Sequence, residues 1–324
     1  FWQSSFLGHT FEVCDKKTDE LLLSYTVQHH AHVVVGHEYH LRDYNDTVQS
    51  TFDFGGVSKQ VKHAMASEWD KSNRVTRTFT PLGFSKGRLP NDIWGSITSY
   101  HYNNKDNVFA EEWTKGNKGY FVNWWEVTPY MIGMPWNLKR YWQSRMKDMV
   151  AKWIGGNIPL ENTDIYGIRR YEDGARLLTH VDRESTHAVS MIVNVDQVLM
   201  REPWRVEIYD FAGRLHEVEM APGDVVYYES AKALHGRMKP LRGASYSNLF
   251  THYRPAGDPQ WSTRPNPEDT PAQVLGLEEC AAGPEDGVLD CGGGVTLPFL
   301  SPADEVVRGS NDLYSSWERL GREE

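Results

Sequence analysis

Three histidine and aspartate side chains have the residue types of a metal site. His180 and Asp182 are two residues apart in LLTHVDRESTHAVSMIVNV (177–195), a segment with the pattern of two consecutive strands. Residues i and i+2 of a strand point to the same face, so we expect the imidazole and the carboxylate on one side, about 7 Å apart. Such a pair could bind a metal ion, or it could belong to a polar, solvent-facing strand that binds nothing.

The candidate third ligand is His235, in the later segment YYESAKALHGRMKPLRG (227–243). In a jelly roll, an early strand and a late strand can lie side by side, which would bring this histidine to the first pair. Two histidines and one carboxylate on one side of an ion leave its other positions open, as in the facial triad of non-haem Fe(II) oxygenases. His-x-Asp alone is common by chance, so its surroundings have to support this interpretation.

A long series of strands would position these residues. From about 164 to 255 the sequence shows strand patterns separated by turn signals, with no helical pattern between them. DFAG (210–213) predicts a hairpin turn, and APGD (221–224) predicts a tight turn before the next strand. This pattern indicates an antiparallel barrel or a double-sheet jelly roll and argues against an α/β fold.

The flanking sequence is more varied. MPWNLKRYWQSRMKDMVAKWIGG (134–156) predicts a helix that Pro135 begins and two glycines end, with an apolar stripe for core packing. SNDLYSSWERL (310–320) predicts a short terminal helix. We therefore expect a mainly β protein with flanking helices, divided into a small N-terminal β region (1–60), a loop-rich and helical support region (61–163), a catalytic core (164–255) and a Pro/Gly/acidic extension ending in a short helix (256–324).

Composition excludes several classes of protein. The 324 residues include 12 tryptophans and are 40% hydrophobic, which is typical of a folded globular chain. With a formal net charge of −10 and no run of basic residues, we expect no nucleic-acid partner and no anionic membrane surface as partner. No apolar stretch has the length of a membrane span. Nothing in the sequence indicates an oligomeric state.

Three features bear on the compartment. The sequence begins with Phe1 and not with methionine, so we expect a processed or truncated chain whose targeting segment is not visible. Cys280 and Cys291 flank a polar loop and could form a disulfide that leaves Cys14 free, or all three could be thiols. Asn45 begins a glycosylation sequon. Together these features slightly favour the lumen of the secretory pathway.

The surroundings of the three candidate ligands carry a resemblance. Before the first pair stands YGIRRYEDGARLLTHVD with Tyr171 and Gly174, and the later segments are PGDVVYYES, LHGR, PLRG and NLFTH. In these motifs the chain resembles the prolyl 4-hydroxylase-like 2-oxoglutarate/Fe(II)-dependent dioxygenases over about 164–255, and more loosely back through 134–156. The resemblance implies a double-stranded β-helix (a cupin-like jelly roll) and iron held by His180, Asp182 and His235. It also implies 2-oxoglutarate as co-substrate and admits ascorbate as an accessory reductant.

Enzymes of this family hold the distal carboxylate of 2-oxoglutarate with a basic residue after the second histidine, because an ammonium or guanidinium supplies charge-assisted hydrogen bonds. The expected position falls near Ala244 and Ser245, which are not basic, and this departs from the family pattern. The nearby candidates are Arg237, which could share a face with the histidine, and Arg242, which has the parity of Asn248 and is slightly favoured. The resemblance also suggests that the Tyr171 hydroxyl contacts the same carboxylate.

For the substrate, the resemblance suggests proline in a peptide or protein, including proline-rich chains. Trp124, Trp125, Trp136 and Tyr102 could line a groove for an extended chain, or they could pack in the core. Two other functions stay open: the same chemistry on a free amino acid or small metabolite, and a non-catalytic binding or assembly protein that keeps the fold. Of the remaining histidines of the core, His187 is expected to be exposed at a strand end, and His216 and His252 are expected to be structural.

Overall fold

The computed structural model describes residues 57–111, 122–123, 127–266, 268 and 302–320, together with short strand segments outside these ranges. The segments lie at 10–14, 21–26, 33–35, 41–43, 281–282, 288–290 and 296–298. The predicted disulfide partners Cys280 and Cys291, the sequon at Asn45 and the tryptophans Trp124 and Trp125 all lie outside the described residues. The predictions on the compartment and on the four-region division therefore stay predictions.

Four α-helices are described: α1 (Val57–Arg74), α2 (Asn91–Asn104), α3 (Trp136–Trp153) and α4 (Ser310–Leu320), and a short 3₁₀ helix lies at Trp261–Thr263. Helix α3 confirms the helix predicted over 134–156, and it begins after Pro135, whose fixed φ suits the first turn. Its buried stripe includes Trp142, Met146 and Val150, each of which contributes about 1.5–3 kcal/mol of apolar burial. None of the described helices is both long and apolar enough to cross a membrane.

The strands are numbered in chain order. Outside the core they are β1 (Thr10–Cys14), β2 (Leu21–Thr26), β3 (Val33–Val35), β4 (Leu41–Asp43), β5 (Phe84–Arg88), β6 (Val108–Ala110) and β7 (Tyr130–Ile132). The core strands are β8 (Leu160–Glu172), β9 (Leu177–His180), β10 (Val189–Val198), β11 (Val206–Tyr209), β12 (Arg214–Val218), β13 (Asp224–Tyr228), β14 (His235–Arg237) and β15 (Ser245–Pro255). Near the C-terminus follow β16 (Ala281–Ala282), β17 (Val288–Asp290), β18 (Thr296–Pro298) and β19 (Pro302–Val306).

The eight core strands form two facing antiparallel sheets. One sheet has the order β5-β13-β10-β15-β8-β7-β6, and the other has the order β19-β12-β11-β14-β9. The chain changes sheet at every connection between β8 and β15 except the hairpin from β11 to β12, so early and late strands interleave. This strand order is the double-stranded β-helix, and it confirms the predicted jelly roll.

Helices cover the outside of this jelly roll and apolar side chains fill its inside. Helix α3 packs on β8, β10 and β15, and α2 packs on β10, so both cover the larger sheet. Helices α1 and α4 pack on each other, and α1 also contacts β9. One core cluster includes Phe84, Ile192 and Val226 from the larger sheet together with Val206 and Ile208 from the smaller one. The packing fixes the two sheets against each other and leaves a cavity mouth near the ends of β9 and β14.

Candidate active site

The fold brings the three predicted ligands together. Strand β14 pairs antiparallel with β9, and His235 lies directly opposite His180. The Nε2 atoms of both imidazoles are 3.9 Å from Oδ1 of Asp182, and the two ring centroids are 4.4 Å apart. One ligand atom from each of the three residues lies within 4.8 Å of the others, so the group could hold one metal ion.

The local geometry of Asp182 differs from the expectation of one continuous strand. Strand β9 ends at His180, and the chain then leaves the sheet, with the Asp182 amide donating to Ser230 O at 2.8 Å. Oδ1 of the carboxylate lies 3.9 Å from Nε2 of His180, whereas the backbone positions of residues i and i+2 in a strand are about 7 Å apart. Because the departure point of a strand depends on such tertiary hydrogen bonds, the alternation of residue types did not reveal it.

Backbone carbonyls fix the orientation of both imidazoles. Nδ1 of His180 is 2.7 Å from Leu178 O, and Nδ1 of His235 is 2.9 Å from Ala233 O. A carbonyl oxygen only accepts, so each Nδ1 carries the proton and each Nε2 is the unprotonated nitrogen. Metal-binding histidines have this arrangement, in which the second nitrogen is held by a hydrogen bond.

Burial sets the protonation states of the group. It lowers the pKa of His180 from 6.5 to about 4, helped by the neighbouring His235, and it also lowers the pKa of His235. Burial acts to raise the pKa of Asp182, but the imidazoles of His252, His235 and their neighbours outweigh it and hold that pKa below its ordinary value. At neutral pH the group is therefore two neutral imidazoles and one carboxylate, which is the state that binds a divalent cation.

The depressed pKa of His180 predicts how the metal-free protein responds to acid. The unfolded chain takes up this proton near pH 6.5, whereas the folded chain resists until about pH 4. Stability is therefore lost as pH falls through this window, by about 3 kcal/mol for this group. Urea unfolding with a chelator, at a series of pH values, should show the loss. The variant His180→Asn keeps a donor for Leu178 O and should have a flatter profile; equal profiles would contradict the assignment.

A cavity of about 590 Å³ extends from the three residues into the space between the sheets. Its apolar wall comes from both sheets: Leu177, Ile192, Val206 and Phe250. Its rim carries charged side chains of α1 and of the segment after β9: Glu68, Lys71, Arg74, Arg183 and Glu184. The volume is within the range of small-molecule sites, and the combination of an apolar wall with a few polar groups is typical of such sites.

Arg237 is the unusual side chain in this cavity. It is two residues after His235 on β14, so both side chains point to the same face. The guanidinium lies between the rings of Trp204 and Tyr246, at 4.6 and 4.9 Å, and only 2% of the residue is exposed. Its Nε donates to Trp204 O at 3.2 Å, and the Asn248 side-chain oxygen, with its amide correctly oriented, accepts from Nη1 at 3.0 Å. No carboxylate of the described residues lies within ion-pair distance of it.

The other predicted co-substrate residues lie elsewhere. Arg242 is in the irregular segment before β15, near Asp173, and is not among the described residues that line the cavity. The prediction that Arg242 and Asn248 point to the same face of one strand does not hold, because β15 begins only at Ser245. Tyr171 is fully buried and packs edge-on against Trp204, so it supports the wall of the cavity and does not face it.

A second buried arginine in the cavity already forms an ion pair with a carboxylate. Arg169 on β8 forms a two-point ion pair with Glu111, at 2.5 and 2.7 Å, and donates to the Tyr171 hydroxyl at 3.4 Å. The neighbouring Tyr171 and Glu111 hold the pKa of this arginine above its ordinary value despite burial. The charge of Arg169 is therefore paired with a carboxylate of the protein, whereas no carboxylate of the described residues pairs with Arg237.

Three cavity residues were missed from the sequence. Tyr228 packs edge-on against the His235 ring and donates its hydroxyl to Asp182 Oδ2 at 3.4 Å. His187 was predicted to be exposed, which is wrong, and His252 was predicted to be structural. Both are buried and line the cavity, and their ring centroids stack at 3.7 Å. These residues lie on strands or at strand ends, and their neighbours in the fold come from distant parts of the sequence. The local sequence pattern therefore could not place them at the cavity.

Other predicted residues fall outside the cavity. His216 is fully buried, with Nε2 at 2.6 Å from Oδ2 of Asp210, and neither residue is among the described residues that line the cavity. Tyr102 and Trp136 are 58% and 69% exposed, and neither is among the described residues that line the cavity. Among the aromatic residues that line the cavity, Tyr166 is 45% exposed, and its ring packs near those of both stacked histidines.

A glycine allows β14 to approach β9 this closely. A Cβ on Gly236 would lie 2.8 Å from Leu177 O and 3.0 Å from Thr179 Cα, and backbone atoms of a sheet cannot move aside cheaply. Gly236→Ala should separate the strands, with a loss of about 1–3 kcal/mol in stability and at least about tenfold in metal affinity. Thermal unfolding and Co²⁺ titration measure both. The control is Gly95→Ala in α2, where nothing lies within 4 Å; wild-type behaviour of G236A would contradict the expectation.

Comparison with known proteins gives weak matches. No protein-family model matches the chain, and no curated protein matches it. A prolyl-4-hydroxylase from Pseudomonas putida is 15% identical, with 60% of this chain and 100% of that chain covered and a TM-score of 0.39. A prolyl hydroxylase from Trichoplax adhaerens, in complex with a hypoxia inducible factor peptide fragment, is 12% identical, with 63% and 95% covered and a TM-score of 0.39.

A third solved structure contains ligands. HygX from Streptomyces hygroscopicus, with nickel and 2-oxoglutarate bound, is 12% identical, with 55% of this chain and 84% of that chain covered and a TM-score of 0.39. At these values the similarity identifies neither a substrate nor a ligand of this chain. The fold assignment rests on the strand order, and the chemistry has to be inferred from the site.

Proposed function

We propose that this chain is a 2-oxoglutarate- and Fe(II)-dependent dioxygenase that hydroxylates a C–H bond. The observation that carries the proposal is the convergence of His180, Asp182 and His235 on a cavity that also contains the buried cation Arg237. Neither the group of three nor the buried arginine would be sufficient alone. Together they provide one place for a divalent metal and one place for an anionic co-substrate in the same cavity.

The donor set suits Fe(II). Two neutral imidazoles and one carboxylate are the ligands of the facial triad, and all three residues line the cavity. Hydrolytic zinc sites also use two histidines and a carboxylate. The buried arginine without a counter-ion favours the oxygenase, because a hydrolase has no need of an anionic co-substrate beside the metal.

Arg237 fits the distal carboxylate of 2-oxoglutarate. A buried guanidinium without a carboxylate partner is unfavourable unless an anion binds beside it. The side chain is held by Trp204 O and Asn248, so it presents a fixed fork of donors. His235 and Arg237 are about 7 Å apart along β14, a span that suits a short dicarboxylate with one end at the metal group.

Bound Fe(II) and 2-oxoglutarate would supply the oxidation, in which O₂ decarboxylates the keto acid to succinate and CO₂ and a substrate C–H bond becomes C–OH. The chain orients and shields these groups. His180 and His235 offer their Nε2 atoms because backbone carbonyls hold Nδ1–H. The apolar wall of Leu177, Ile192, Val206 and Phe250 excludes water, which strengthens the electrostatic interactions within the cavity.

For the substrate we propose peptidyl proline, on the basis of the sequence resemblance. The charged rim and the half-exposed Tyr166 leave an opening at the surface that can admit an extended chain. A free amino acid or a small metabolite is the alternative. A proline-rich peptide that stimulates turnover where free proline does not would separate the two.

The test of the proposed function is succinate formation. Full-length protein loaded with Fe(II) should release succinate from 2-oxoglutarate in an O₂-dependent reaction, with more release when a proline-rich peptide is present. The Asp182→Ala variant should release none above the protein-free background. If folded, iron-loaded wild-type protein forms no succinate with any peptide or amino acid tested, the chain is a non-catalytic member of the fold and the proposal is wrong.

A further inference from the structure

The backbone amide of Val181 lies just beyond the end of a strand. Val181 stands between the candidate ligands His180 and Asp182, and β9 ends one residue before it. The residue is buried, and a buried amide without an acceptor is unfavourable. This amide donates to Oε2 of Glu68, on helix α1, at 3.2 Å. A side chain from outside the jelly roll therefore supplies the hydrogen bond that the end of the strand leaves open.

The Glu68 side chain is itself held in place. It is 16% exposed, and its Oε1 is 2.5 Å from Nζ of Lys71, one turn further along α1. Each of its two carboxylate oxygens thus has a partner. The Val181 side chain packs with Met65 of α1 and Leu178 of β9 in one apolar cluster. Apolar packing and the hydrogen bond therefore fix the same residue against the same helix.

Helix α1 also contacts the segment before the third candidate ligand. Ser72 Oγ donates to Lys232 O at 2.7 Å, and Lys232 Nζ donates to Val75 O at 2.6 Å, just after the helix ends. The next residue is Ala233, whose carbonyl oxygen fixes the imidazole of His235. Helix α1 is therefore hydrogen-bonded to both chain segments that carry candidate ligands.

Glu68 could also be considered as a further metal ligand, because it lines the cavity. Two observations count against this interpretation. Among the described residues, Glu68 belongs to neither group of side chains whose ligand atoms lie within 4.8 Å of one another. Its two oxygens are already engaged by the Val181 amide and by Lys71. Glu68 therefore acts on the backbone of the ligand segment.

From this geometry we infer that Glu68 is a positioning residue for the metal group: its carboxylate accepts from the Val181 amide and so fixes the segment that carries His180 and Asp182. The inference rests on the proposed function, because Glu68 has this purpose only if those two side chains are metal ligands. They flank the bonded amide, so a backbone rotation at Val181 would turn the imidazole and the carboxylate relative to each other. Groups that orient metal ligands typically change metal affinity about 10–100-fold.

The experiment combines two measurements on full-length, metal-free protein. Amide hydrogen exchange at Val181 is followed by NMR, and anaerobic titration with Co²⁺ is followed by visible absorption. Glu68→Met keeps the length of the side chain and removes the acceptor. In this variant the Val181 amide should exchange at least about tenfold faster. Co²⁺ should bind about 10–100-fold more weakly and with an altered spectrum.

Two further variants separate the reach of the side chain from its charge. Glu68→Gln keeps the length and an acceptor oxygen but loses the charge, so it should retain most of the exchange protection and of the Co²⁺ affinity. Glu68→Asp keeps the charge but is one methylene shorter, so it should behave like E68M, and it carries the test if E68M does not fold. The matched control is Asp70→Asn, on the exposed face of α1, which should match wild type in both measurements. Thermal unfolding confirms that each variant is folded.

Each outcome supports or overturns the inference. Wild-type exchange and Co²⁺ affinity in E68M would overturn the positioning role and leave the proposed function standing. Faster exchange without weaker Co²⁺ binding would do the same, because the hydrogen bond would then be structural alone. Losses in E68Q or in D70N equal to those in E68M would also overturn it, because negative charge and not the acceptor would then matter. If wild-type protein binds no Co²⁺, the proposed function fails together with this inference.

Discussion

Asp182→Ala is expected to abolish metal binding and turnover together. Among the described residues, Asp182 is the only carboxylate that faces both His180 and His235. Its removal leaves a metal ion two neutral imidazoles and no negatively charged ligand. Loss of a residue that merely orients a ligand costs 10–100-fold in metal affinity, so loss of the ligand itself should exceed about 100-fold. Equilibrium titration with Fe(II) under anaerobic conditions, followed by a succinate assay, measures both effects.

The matched control is Asp164→Asn. This carboxylate lies 3.7 Å from Nδ1 of His187, close to the cavity but outside the group of three. It should keep its metal affinity and its ability to form succinate. Equal losses in D182A and D164N would mean that the general negative charge of the region binds the cation, and the assignment of Asp182 would then be wrong.

Arg237→Met is expected to separate co-substrate binding from metal binding. Methionine can fill the space between Trp204 and Tyr246, but it offers no donors to a carboxylate. Charge-assisted hydrogen bonds of this kind contribute about 3 kcal/mol, so the Kd for 2-oxoglutarate should rise about 100-fold. Titration of the metal-loaded protein with 2-oxoglutarate measures the Kd, and Co²⁺ affinity measured on the same sample should stay close to that of wild type.

Arg242→Met is the control for this prediction and also tests the alternative favoured by the sequence. Arg242 is near Asp173 and outside the cavity, so its removal should leave the Kd for 2-oxoglutarate unchanged. A large rise in Kd for R242M, with little change for R237M, would return the anchor to Arg242. Loss of the folded state in R237M would call for Arg237→Lys, which keeps the charge but not the planar fork.

The sequence was sufficient for the jelly roll and for the grouping of the three candidate ligands. Turn signals and strand patterns between 164 and 255 are local properties, and the jelly roll that they and the family resemblance indicated is confirmed. The pairing of β9 with β14 belongs to this fold, and the family resemblance had pointed to His235 as the partner of His180. Their role as metal ligands stays a proposal until a metal is measured.

The remainder of the cavity could not be derived from the sequence, because it depends on contacts between distant segments. The alternation argument for Arg242 failed because β15 begins three residues later, and only the folded chain shows where a strand begins. The exposure predicted for His187 failed because the segment before β10 turns inwards and stacks this ring on His252. The geometry of Asp182 likewise depends on a hydrogen bond to Ser230, from a segment late in the chain.

The most direct test of the central claim is the visible absorption spectrum of anaerobic protein with Fe(II) and 2-oxoglutarate. If His180, Asp182 and His235 hold iron while Arg237 holds the keto acid beside it, wild-type protein should show a weak visible charge-transfer band on addition of 2-oxoglutarate. His235→Ala should lack the band because iron is lost, and R237M should require about 100-fold more 2-oxoglutarate to reach it. A folded wild-type protein that binds Fe(II) but shows no band at saturating 2-oxoglutarate would contradict the claim.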